Sequence, residues 1–383
     1  MIPSRAEIEE LFPATRHLVY LDTAYRGPLC KPARLAAEEY LRAVSERGSL
    51  EIARYIELLN NCRKRLATVF NARPDEFVFL ANATDAFSRV TLGIDWREGD
   101  EVVAPENDYP GVLRPLLDLG RRGVKLVLVP ARDDAVFAEQ LLAACTPRTR
   151  LIAASHVNFR TGFCLDVSKL CAGAKKQGVL TAIDFVQSAG CLQLDFGALG
   201  VDFGTFAARK WFCALDTLGI FYVREEALNK LTPHTLGLFS VAEPHNFEAL
   251  DQPLAPGARR FMLGAPPYIQ IAAFDAASAL NARLGVAVIE ERVRGFGKAL
   301  RDGAKAATIP CIGESWPAQS QSPIVCLRRA GKLTDEMLGP RLFEKGIVAS
   351  VRKSIVRVSP HWFNTEADID KIFDALKLFV LKS

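Results

Sequence analysis

The chain has 383 residues, 49% of them hydrophobic and 24% charged, with a formal net charge of +4. Single cores stop growing near roughly 250–300 residues, so the length predicts one large domain with a smaller one attached, and the composition excludes a disordered or fibrous protein. The basic residues are spread along the chain apart from the cluster Arg121 to Lys125, which reads as a solvated helix end, so no nucleic-acid partner is expected.

The N-terminal run MIPSRAEIEELF carries acids and lacks an apolar core of signal-peptide length. No apolar run approaches the roughly 20 residues that a membrane span needs, so no membrane partner is expected either. The nine cysteines form no CxxC pair and the five histidines show no metal-ligand spacing, so neither a disulfide framework nor a metal site is signalled. A soluble cytoplasmic enzyme is the expectation.

From Phe77 to Arg224 short apolar runs alternate with helix-like stretches: FVFLA at 77–81, EVVAP at 101–105, KLVLVP at 125–130, RLIAASHV at 150–157, VLTAID at 179–184, FGTFAA at 203–208 and GIFYV at 219–223. Such short, unalternating runs predict strands buried on both faces of a mostly parallel sheet, with helices packed on either side. Residues 231–267 are rich in turn formers and read as a loop-rich crossing, followed by a long helical segment. The remainder predicts a helix (VIEERVRGFGKALRDGAKA), strands at PIVCLRR, IVASV and IVRVSP, and a last helix from Glu366 to the end, capped by Asn364 or Thr365. The predicted organisation is a large α/β domain over 20–265, a connecting helix over 266–285, and a small α+β domain formed by 1–19 and 286–383.

In a parallel sheet ligands gather at the carboxyl ends of the strands. VLTAID ends there in Asp184, and the next strand run delivers Lys210 to the same rim. An acid and an amine so placed suit pyridoxal 5'-phosphate (PLP), which needs a lysine for its aldehyde and an acid beside its pyridine nitrogen. Each residue also has an ordinary reading: Asp184 as a helix cap or ion-pair partner, and Lys210 as a solvated lysine.

The surrounding sequence resembles the class V aminotransferase family, fold-type I PLP enzymes that include cysteine desulfurases and isopenicillin N epimerase-like proteins. The segments that carry the resemblance are YLDTAYRGPL at 20–29, ANATDAF at 81–87, ENDYP at 106–110, SHVNFRTG at 155–162, AIDFVQSAG at 182–190, LGVDFGTFAARKW at 199–211 and VRVSPHWFNTEADID at 356–370. The resemblance implies that Lys210 bonds to the cofactor, Asp184 partners the pyridine nitrogen and Gln187 donates to the 3'-oxygen. Ala83 and Thr84 bind the phosphate at a helix start, and Tyr109 stacks on the ring. His156 is implied as a second-layer, catalytic or substrate-facing group, with a satisfied core histidine as the alternative. Arg357 is implied as the anchor of the substrate α-carboxylate, with a structural ion pair as the alternative. Arg26 and Arg160 are candidates for a second anionic group of the substrate.

The chain departs from the family pattern at several positions. Ala207 and Arg209 stand where relatives carry Ser and His, and Arg209 is expected to contact the phosphate instead. Gly264-Ala265-Pro266 replaces a Gly-Thr-Pro whose threonine reaches a partner subunit, which weakens the expectation of a shared site in a homodimer without removing it. Phe159 replaces an asparagine. No cysteine follows Cys326, where desulfurases place their nucleophile, so a persulfide mechanism is expected to be excluded. Aminotransfer to or from a small amino-acid substrate is the leading expectation, followed by C–S β-elimination, epimerisation and decarboxylation. A nucleotide-binding dehydrogenase is disfavoured by the lack of a GxGxxG helix start. An inactive binding module is disfavoured by the intact set of Lys210, Asp184, Gln187 and Arg357.

Overall fold

The computed structural model describes residues 2–328 and 334–380. The chain opens with the helix Arg5–Leu11, whose Ser4 and Glu7 form a reciprocal capping box. Phe12 then packs on Trp362 and Phe363, with ring centroids 5.2 and 4.6 Å away. Strand β1 (Val19–Tyr20) follows.

Each of the seven apolar runs forms a strand of one sheet: β2 (Phe77–Leu80), β3 (Glu101–Pro105), β4 (Lys125–Val129), β5 (Thr149–Ser155), β6 (Leu180–Asp184), β7 (Phe203–Ala207) and β8 (Gly219–Val223). Their order is β2-β8-β7-β6-β5-β3-β4, with β8 alone running against its neighbours. Alternate residues enter two different cores. Phe79, Val103, Ile152, Ile183 and Phe206 pack on one face, and Val78, Val102, Leu151, Ala182 and Phe203 on the other. Burial on both faces is why these runs are continuously apolar, except at the edge strand β4, where Lys125 and Leu128 are exposed. Helices Lys31–Arg47 and Ile52–Phe70 pack on the long helix Tyr268–Leu284.

The C-terminal part contains β9 (Val325–Arg328), β10 (Ile347–Val348), β11 (Ser350–Arg352) and β12 (Ile355–Val358). The antiparallel order is β11-β12-β9, while β10 pairs in parallel with β1. Helices Val286–Ala306 and Glu366–Val380 cover this part through Phe296, Leu300, Ile372 and Leu376. The predicted run IVASV is thus two strands, because the chain changes partner from β1 to β12 at Ala349. The ends of two predicted elements, Arg329 and residues 381–383, lie outside the described residues. We propose a domain division close to the expected one, with the N-terminal contribution to the small domain extended to about residue 22. Leu21 shares a core with Val325 and Val356, and Ser359 N–H donates to its carbonyl.

Candidate active site

Strands β6 and β7 are parallel neighbours, with Asp184 in register with Thr205. The acid therefore lies at the rim where β7 ends, and Lys210 follows in a tight loop. That loop is strapped by the N-terminal segment: Gly27 N–H donates to Arg209 O at 2.9 Å, and Cys30 N–H to Cys213 O at 3.0 Å. Both Asp184 and Lys210 are buried. Burial pushes Lys210 down, against the pull of Asp184, with Arg357 and Arg209 adding to the drop. Burial pushes Asp184 up, opposed by the Val186 N–H and by Lys210. An amine held toward its neutral form is a nucleophile for an aldehyde, and a buried carboxylate favours a cationic N–H partner.

Buried Trp211 donates its indole N–H to Gln187 Oε1 at 3.1 Å. Since an indole nitrogen only donates, the amide orientation of Gln187 is fixed. Its Nε2 donates to Ala24 O at 2.9 Å, which leaves one amide hydrogen for a further acceptor.

Strand β2 turns into the helix Ala83–Gly93, whose cap Asn82 accepts from Asp85 N–H at 2.9 Å. Among the described residues no partner takes the amides of Ala83 and Thr84. Two free amides at a helix start make an anion cradle. A Cβ on Gly111 would lie 2.6 Å from Thr84 Oγ1 and 2.7 Å from Tyr109 Cε1, so hydroxyl and ring converge there only because Gly111 has no side chain. The Tyr109 ring is partly exposed, with its centroid 5.8 Å from Lys210 Nζ. Its neighbour Asp108 is buried and accepts from Ser155 N–H at 2.7 Å. Burial raises the carboxyl of Asp108, and its charge adds to the upward push on Asp184.

Arg357 reaches the site from β12. Its Nη1 donates to Phe159 O at 2.7 Å, and its Nη2 lies 3.2 Å from Ser350 Oγ and 3.4 Å from Asp22 Oδ1. Among the described residues the buried Nε has no hydrogen-bond partner. Beside it lies a cavity of about 260 Å³ lined by Phe159, Arg160, Ser350 and Arg357 among others. Phe159 also meets the Tyr109 ring edge-on at 5.2 Å, so cavity and lysine are joined through one aromatic pair.

Two expectations are corrected. The His156 ring does not face the site: Nδ1 lies 2.9 Å from Ser188 Oγ, Nε2 lies 3.4 Å from Cys164 Sγ, and burial pushes its pKa down to about 4. Side chains alternate along a strand; Ser155 pairs with Asp184, so the next residue turns to the other face. Only the His156 amide serves the rim, donating to Asp184 O at 2.9 Å. Arg26 does not enter the cavity, because its guanidinium is spent on Asp216 at 2.7 Å. Arg209 shares that acid at 3.7 Å while its charge still acts on Lys210. The residues that sequence reasoning missed are Asp22, Asp108, Ser155, Trp211 and Ser350.

The model of the class V aminotransferase family matches residues 19–372, and the chain belongs to this family of PLP-dependent enzymes. The uncharacterized aminotransferase YcbU of Bacillus subtilis (strain 168) is 24% identical over 371 residues, 97% of this chain and 96% of that protein. A probable cysteine desulfurase of Methanothermobacter thermautotrophicus is 31% identical over 243 residues, 62% of this chain and 61% of that one. The fold is shared with the cystine C–S lyase C-DES, solved as a mutant with glycine covalently linked to the PLP cofactor, at a TM-score of 0.90 and 24% identity over 98% of this chain and 99% of that one. Several further relatives carry the name probable cysteine desulfurase, so the expected exclusion of that activity finds no support among them. PLP is the cofactor, and the residues present fit it: a buried amine, a buried acid, a spare amide hydrogen and an anion cradle at a helix start.

Proposed function

We propose that this chain is an aminotransferase that holds PLP through Lys210 and acts at the α-carbon of an amino acid. The observation that carries the reading is the convergence of Lys210, Asp184, Tyr109 and Arg357 on one rim, with the lysine driven toward its neutral form by burial. When bound, PLP supplies an aldehyde for the substrate amine and a ring that withdraws electrons from the α-carbon.

Asp184 would keep the pyridine nitrogen protonated, and Gln187 has one amide hydrogen left for the ring oxygen. The amides of Ala83 and Thr84 would hold the phosphate, with Arg209 adding positive charge, and Tyr109 would cover the ring. The Lys210 amine would take the proton from the substrate α-carbon and, for aminotransfer, pass it to the former aldehyde carbon of the cofactor instead of returning it. Arg357, which lines the cavity, would take the substrate carboxylate with its guanidinium. His156 supports the Asp184 strand through its amide and takes no part in proton transfer.

A C–S β-lyase is the second reading, favoured by the shape shared with C-DES. Desulfuration ranks below both. Cys326 lies opposite Arg357 on β9, but burial pushes its thiol up to about 12 and its Sγ bonds to Arg160 O. A thiol held protonated is a weak nucleophile. We also propose a homodimer in the cytoplasm. Leu50, Phe247 and Leu250 are strongly exposed apolar side chains of the kind that a partner covers. The nine cysteines are free, which fits a reducing compartment.

The test is a product assay of the holoenzyme on a panel of L-amino acids with a 2-oxo acid acceptor. Aminotransfer predicts equal amounts of new 2-oxo acid and new amino acid. Sulfide or persulfide from cysteine or cystine, without amino exchange, replaces it with a C–S cleaving activity; inverted configuration replaces it with an epimerase.

A further inference from the structure

The cavity beside Arg357 is more basic than a single α-carboxylate requires. Arg160, Arg352, Lys353 and Arg357 line it with Phe159 and Ile355, and none of its lining residues is acidic. Asp22 offsets Arg357. Among the described residues no carboxylate forms an ion pair with Arg160, Arg352 or Lys353, whereas the nearby Arg26 and Arg328 are paired with Asp216 and Asp134.

The hairpin of β11 and β12 explains the arrangement. Ser350 pairs with Arg357 and Arg352 with Ile355, and residues opposite each other in an antiparallel pair share a face. All four side chains therefore look into the cavity. Arg352 is one strand repeat beyond Ser350, which places its root about 7 Å along the strand from the Arg357 level. Its guanidinium lies 5.5 Å from the Tyr25 ring centroid, an aromatic rest for the side chain. The hairpin is closed by Lys353 and Ser354 with φ of 50° and 62°. Both central residues with positive φ make the tight turn that Asn-Gly usually occupies. Lysine at this position puts a further charge at the cavity mouth, in a conformation that glycine would adopt more readily.

We infer that the substrate is an α-amino acid whose side chain ends in a second anionic group, bound by Arg352 with Arg160 and Lys353 while Arg357 holds the α-carboxylate. Four like charges around one small cavity repel one another, and an anion between them relieves that repulsion. The spacing between the Arg357 and Arg352 levels suits a side chain of glutamate length or longer better than one of aspartate length. This inference rests on the amino-acid reading above and on Arg357 as its anchor.

The experiment titrates the holoenzyme with acid and amide pairs: L-aspartate and L-asparagine, L-glutamate and L-glutamine, L-2-aminoadipate and its side-chain amide. Binding is read from the cofactor's visible absorption, in the native chain and in variants Arg352→Gln/Lys353→Gln and Arg357→Gln. L-glutamate or L-2-aminoadipate is expected to bind roughly tenfold tighter than its amide, a preference that shrinks with added salt. Arg352→Gln/Lys353→Gln should shrink that preference several-fold, Arg160 remaining in place, while Arg357→Gln should weaken acid and amide alike. Equal affinity within every pair, or a preference undiminished by the double substitution, overturns the second-anion site alone. Absence of a spectral response to every amino acid overturns the amino-acid reading, and this site with it.

Discussion

At Asp184 a single carboxylate has two neighbours of opposite effect. Lys210 draws its charge out, while Asp108, held by Ser155, opposes ionisation. Burial dominates both and raises the group, so a cationic N–H brought beside it would stabilise its charged form. Asp184→Asn keeps the shape and the hydrogen bond from Val186 N–H but not the charge. The variant is expected to retain PLP and to lose roughly a hundredfold or more in turnover, measured against the native chain with the same substrate. Turnover close to native would make Asp184 a structural residue. The placement of Lys210 and Asp184 at one rim was legible in the sequence because contiguous strand runs end there, whereas Gln187 was suggested only by the resemblance to the family. Asp22, Ser350 and Asp108 were not legible, because their partners are brought together only by folding: Ser350 Oγ bonds to Asp22 Oδ1 at 2.7 Å across 328 positions of sequence. His156 was misread because a strand end fixes where a residue lies and the alternation of side chains fixes which way it faces.

Among the elements, the strap formed by residues 22–30 is the one that holds the lysine loop in place. A Cβ on Gly27 would lie 2.2 Å from Lys210 O and 2.7 Å from Cys213 Sγ, and backbone does not yield as a flexible side chain does. Gly27→Ala is expected to displace the loop and lower both PLP content and activity by about tenfold or more, read from the ratio of cofactor to protein absorbance. Gly295, in the helix Val286–Ala306, has open space at its Cβ. Gly295→Ala should leave PLP content unchanged and add up to about 1 kcal/mol of helix stability. Equal cofactor content in the two variants would show that the strap does not position Lys210. Most strands of the sheet were legible because they are buried on both faces and so read as apolar runs; the edge strand β4 reads as one although Lys125 and Leu128 are exposed. Strand β1, two residues long, and the break at Ala349 were not legible, since pairing with a distant segment and not local pattern defines them.

Over the whole molecule the site is built where the two parts of the chain meet. The large sheet brings Lys210, Asp184 and Tyr109, the C-terminal sheet brings Arg357 and Arg352, and the N-terminal segment brings Asp22 between them. Arrangement at such a junction explains why a chain with ordinary composition and no metal-ligand pattern is still readable as an enzyme: the chemistry comes from a bound cofactor, and the protein supplies one amine and a set of oriented charges. That division of labour makes Lys210 the residue on which everything else depends. Borohydride reduction of the holoenzyme, followed by peptide mapping, reads it directly. The expected result is a single PLP-modified peptide containing Lys210, absent from a folded Lys210→Ala variant that also shows no turnover. Modification of a different lysine, or undiminished labelling in Lys210→Ala, would contradict it.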